Sequence, residues 1–95
     1  MPSYEAMFIL RPDLEEEPIQ ELSNKLQDLL KQFGVQESEL EEWGKRRLAY
    51  EIKKYGEGLY YLLKFEGSQE LVPELEHFFK VNDEVIRFMI VRQEE

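Results

Sequence analysis

This 95-residue sequence predicts an α+β domain of order βαββαβ, a four-stranded antiparallel sheet with two helices on one face. Three observations carry that reading. Two stretches repeat apolar residues at three- and four-residue steps, as amphipathic helices do. Four others are either nearly continuous in β-forming residues or alternate apolar with polar. A glycine-containing turn signal separates the middle two and joins them as a hairpin.

The first strand is Tyr4 to Arg11, "YEAMFILR", apolar enough on both sides to lie centrally in a sheet. Pro12 and Asp13 end it. Ile19, Leu22, Leu26, Leu29, Leu30 and Phe33 then mark a helix, with Pro18 and Glu15–Glu17 suited to its first turn and Gly34 to its end. After a polar connection, an extended segment runs from about Glu42 to Lys54, where Leu48, Tyr50 and Ile52 alternate with Arg47, Ala49, Glu51 and Lys53. Tyr55–Gly58, "YGEG", reads as the turn, and Leu59–Glu66 as the returning strand. Ser68 suits an N-cap for a second helix with Leu71, Leu75, Phe78 and Phe79 inward. Pro73 conflicts with that cap unless the helix begins near Pro73 or has an irregular first turn. Asn82 and Asp83 close the helix, and Glu84–Arg92 forms the last strand. Right-handed crossovers then place both helices on one face, which is the ferredoxin-like split βαβ arrangement.

Residues 1–95 make one domain, since no linker, repeat or low-complexity tract divides them. The absence of cysteine excludes disulfides and thiolate metal sites. The N-terminus has no basic flank and an apolar run of only four residues, too short for a signal peptide or a membrane span. A soluble cytoplasmic protein with no membrane partner is expected.

Charge is unevenly spread. The formal net charge is −9, which disfavours indiscriminate binding to polyanions. Yet Asp13 to Glu42 holds ten acids against Lys25 and Lys31, whereas Lys45 to Lys64 holds six cations against Glu51 and Glu57. The sheet face without helices is also unusual. By alternation, Phe8, Leu10, Leu63, Phe65, Phe88 and Ile90 face the helices, leaving Met7, Ile9, Leu62, Lys64, Arg87, Met89 and Val91 on the other side. Met7, Ile9, Leu62 and Met89 are therefore the candidate partner-binding residues. The plainer reading is that any small domain exposes some apolar area.

Nothing converges for catalysis. His77 is alone among glutamates on a helix, the four serines have no activating motif, and no glycine-rich phosphate loop occurs. No metal, cofactor or small-molecule substrate is expected. The RNA-recognition motif shares this strand order, but its aromatic signature laid over Glu57–Lys64 fails at four of seven specified positions. Phosphate contact suits the basic segment better, with Tyr50 and Tyr55 available for packing. The competing reading of "GKRR" is a charged edge strand that resists aggregation.

The segment "EEWGKRRLAYEIKKYGEGLYYLLKFE", together with "YEAMFILRPDL" and "VPELEHFFKVNDEVIRFMIVR", closely resembles the bacterial small-subunit ribosomal protein six (S-six) family, collinearly from Tyr4 to Arg92. The resemblance implies a non-enzymatic, ribosome-associated protein that binds the central domain of small-subunit ribosomal RNA together with ribosomal protein eighteen. It carries RNA contact over to Tyr4, Arg46, Arg47, Lys54 and Arg87; Lys45, Lys53 and Arg92 are added on charge alone. Two departures from the family pattern stand out. Pro2 and Ser3 replace arginines that many members carry, and Glu51 replaces a proline and adds a negative charge to the basic segment. The alternative is a stand-alone ferredoxin-like dimer, regulatory or ligand-binding, pairing through its open sheet face.

Overall fold

The structure, a computed structural model, describes residues 2–93. Alternation sets its core. In β1 (Ser3–Leu10), Tyr4, Ala6, Phe8 and Leu10 share the face that the helices cover. Helix α1 (Glu16–Gln32) buries Leu22, Leu26 and Leu30 against that face, and α2 (Leu71–Val81) buries Leu71, Leu75 and Phe79. Strand β2 (Ser38–Ile52), β3 (Tyr55–Glu66) and β4 (Val85–Gln93) complete the antiparallel sheet in the order β2-β3-β1-β4. β1 is central, as its two-sided hydrophobicity predicts. Tyr61, Leu63 and Phe65 of β3 join the same core, with Phe88 and Ile90 of β4 packed at its margin.

At the centre Phe79, 1% exposed, meets Phe8 with ring centroids 4.9 Å apart and Phe88 at 5.3 Å. Burial of such rings, at roughly 25 cal/mol per Å² of apolar surface, is the main stabilising force of the domain.

Three boundaries bear on the sequence expectation: one decides between its alternatives and two differ from it. First, Pro73 is the third residue of α2, so its missing N–H falls where no intrahelical acceptor exists. The helix thus begins near Pro73, and Ser68 serves the preceding turn, its Oγ accepting from the Glu70 N–H at 3.0 Å. Second, β2 starts at Ser38 rather than near Glu42. Its acidic first residues pair with the end of β3, from Ser38↔Phe65 to Glu42↔Tyr61. Glutamate disfavours strands locally, but pairing along β3 overrides the preference. The Tyr61 hydroxyl donates to Glu42 Oε2 at 3.2 Å, and burial followed by that carboxylate pushes the Tyr61 pKa up to about 12.

Third, the hairpin turns at Lys53–Lys54, not within Tyr55–Gly58. Both lysines have positive φ, 51° and 73°, and Ile52 pairs with Tyr55 across them. That is the two-residue type I′ geometry, normally built from Asn and Gly. Composition pointed to the glycines instead, because lysine carries no local preference for a left-handed backbone.

Candidate nucleic-acid interface

The pairing of β3 with β1 ends at Leu59–Leu10, whereas β3 continues to Tyr55 against β2. The hairpin therefore extends past the body of the sheet as a two-stranded arm. Two irregularities shape it. Gly44, at φ +86°, lies at a bulge where Trp43 is the extra residue between Glu42↔Tyr61 and Gly44↔Tyr60. Further along, residues 48–51 have only Gly56 between the pairs Arg47↔Glu57 and Ile52↔Tyr55. Because Trp43 is the extra residue, Gly44 and Arg46 stand opposite Tyr60 and Gly58, and Leu48, two residues further, falls on the helix-free face.

There Leu48, Ile9 and Ile86 form a second, separate apolar cluster, with Ile52, Tyr55 and Tyr60 packed around it. Gly58 makes this approach feasible: a Cβ at that position would lie 2.2 Å from Ile9 Cγ2. Tyr50, which alternates with Leu48 in the sequence, is 63% exposed. Its hydroxyl accepts a hydrogen bond from the Arg87 guanidinium at 2.8 Å, and that guanidinium lies 6.0 Å from its ring centre.

The arm carries Lys45, Arg46 and Arg47 on β2 and Lys53 and Lys54 at its tip, all exposed. Lys45 stands opposite Leu59, Arg46 opposite Gly58 and Arg47 opposite Glu57, so successive side chains alternate between the ribbon's two faces. They share one projection rather than one face. Among the described residues the ion pairs are Arg11–Asp13 at 3.9 Å and Lys64–Glu41 at 3.1 Å, and neither uses an arm cation. Glu41 is held below the usual carboxylate range, first by the Trp43 indole hydrogen bond and then by Lys64, whose own pKa is raised by Glu41. That pairing withdraws Lys64 from the basic set. Arg46 lies over the Trp43 ring, 5.4 Å from its centre.

Three residues singled out from sequence need correction. Tyr4 is 5% exposed and stacks on Phe65 at 5.5 Å, so its ring belongs to the core and is not presented to a base. Ile9 does point away from the helices, but at 4% exposure it is covered by the arm and unavailable to a partner. Arg92 pairs with Tyr4 whereas Arg87 pairs with Ile9. Five residues apart on β4, these arginines face opposite sides and are separated by about 16 Å along the strand. Arg92 is thus not gathered with the arm. Met7, Leu62 and Met89 are cross-strand neighbours on the helix-free face, and Met89 is 52% exposed. Sequence reading gave Trp43, which marks the bulge, no role and named Leu48, which anchors the arm, only as part of the strand alternation. The adjoining Gly44 was the available signal for the bulge.

The fold and site together are a helix-backed antiparallel sheet that carries a projecting cationic ribbon. The family model for Ribosomal protein S6 matches residues 3–92, and the chain belongs to that family of small ribosomal subunit proteins. Among its relatives, the small ribosomal subunit protein bS6 of Natranaerobius thermophilus is 42% identical across 100% of this chain and 99% of its own length. That of Heliobacterium modesticaldum is 44% identical over the same shares. The crystal structure of 30S ribosomal protein S6 from Thermotoga maritima superposes with a TM-score of 0.86 at 33% identity, covering 97% of this chain and 87% of that one. As a constituent of the bacterial small subunit the protein is cytoplasmic. No helix among the described residues is long and apolar enough to cross a membrane.

Proposed function

We propose that the protein binds the central domain of small-subunit ribosomal RNA as a heterodimer with ribosomal protein eighteen. Lys45, Arg46, Arg47, Lys53 and Lys54 contact phosphates, and Met7, Leu62 and Met89 meet the partner. The observation that carries this reading is the projecting arm, whose five cations are exposed and not committed to the chain's own carboxylates. Phosphate contact needs such free donors, because a cation already paired gains little by exchanging one anion for another. The remainder of the molecule is acidic, so docking favours an orientation that turns the arm toward RNA and the glutamates toward a basic partner.

Five phosphate contacts give a slope of roughly −4 for log affinity against log salt. The test is binding of a central-domain transcript with and without protein eighteen, by wild type and by an Arg46/Arg47/Lys54→Ala triple variant. Binding that needs the partner, follows that slope and is lost in the variant supports the proposal. Equal binding by the variant, or a stable homodimer of the free protein at micromolar concentration, rejects it in favour of a stand-alone dimer.

A further inference from the structure

We infer that Leu48 and Tyr50 are positioning residues that clamp the cationic arm against the helix-free face of the sheet and so present its charges at fixed spacing to RNA. This rests on the RNA reading above. A two-stranded ribbon is at best marginally stable in water, so an arm extending past the sheet needs an anchor. β2 supplies one: of its 15 residues only Leu48 is buried. Its partners Ile9 and Ile86 are 4% and 6% exposed and form a cluster distinct from the helix-side core. The second tether is the Arg87–Tyr50 hydrogen bond at 2.8 Å, reaching from β4 across the face to β2.

Between these two points lies a cleft of about 160 Å³, lined by Met7, Ile9, Leu48, Tyr50, Arg87 and Met89. The clamp is therefore two contacts with space between them, unlike the close-packed core, and it opens without unfolding the domain. Arg87 takes a second role beside the one its charge suggests. Its guanidinium gives one of its five N–H donors to Tyr50, so it acts on RNA through the arm as well as by its own charge.

Weakening the clamp leaves every cation in place but lowers the fraction of molecules with the arm seated. Apparent affinity falls by that fraction, about tenfold if nine molecules in ten are open, while the salt slope stays at the wild-type value. The experiment measures affinity for the central-domain transcript with protein eighteen at several salt concentrations, and amide exchange of the free protein. Wild type is compared with Leu48→Ala, Leu48→Met and Tyr50→Phe.

Leu48→Ala should bind about tenfold more weakly with an unchanged slope, and Leu48→Met should restore most of that loss. Tyr50→Phe should fall between Leu48→Ala and wild type. Arm amides from residue 45 to 57 should exchange faster in Leu48→Ala, while those of Ala6 and Leu63 stay protected. Wild-type affinity in Leu48→Ala overturns the inference, as does unaltered exchange in its arm. If wild type itself fails to bind, the RNA reading falls and takes the inference with it, so the two failures are distinct.

Discussion

The two faces of this sheet bury apolar residues on very different scales. On the helix side, fourteen buried residues from β1, β3, β4 and both helices interlock around Phe79. On the other side, three residues hold down one arm. The first cluster draws on every helix, so losing one member is felt throughout the domain. The second touches only strands and can loosen by itself. The basic segment lies on the weakly held region, and the acidic helix α1 belongs to the strongly held one. Stability and charge presentation are therefore assigned to separate contacts, and substitutions should divide accordingly.

The largest effect should come from the helix side. Phe79→Ala removes a ring that is 1% exposed and touches Phe8 and Phe88, and should destabilise the whole domain by about 3–5 kcal/mol in urea unfolding. A loss confined to the arm would erase the contrast between the faces. Next comes Gly58→Ala, which places a methyl group 2.2 Å from Ile9 Cγ2, inside the smaller cluster. A cost of about 1–3 kcal/mol is expected, with amide protection falling first along the arm. Uniform loss across the sheet would show that the arm is not separable. The smallest effect should be Lys54→Gly. Relieving the left-handed lysine at φ 73° should raise stability by about 0.5–1 kcal/mol, even as one arm cation is lost. Its melting temperature and RNA affinity should move in opposite directions, and parallel changes would argue against this division of roles.

The sequence by itself determined the element order, the helix-side core and the place of the cations along the chain. Those follow from periodicity and composition, which act locally: Leu22, Leu26 and Leu30 must share a helix face whatever they pack against. It also showed family membership, through "WGKRRLAY" and its flanking patterns. Only the tertiary structure decided that the hairpin turns at two lysines, that acidic residues 38–42 are strand, and that a bulge lets Leu48 cover Ile9. The same holds for Tyr4, whose ring is core, and for Arg92, which lies away from the arm. Each depends on register or on contact between residues distant along the chain. Alternation assigns a side chain to a face but says nothing of what lies over that face.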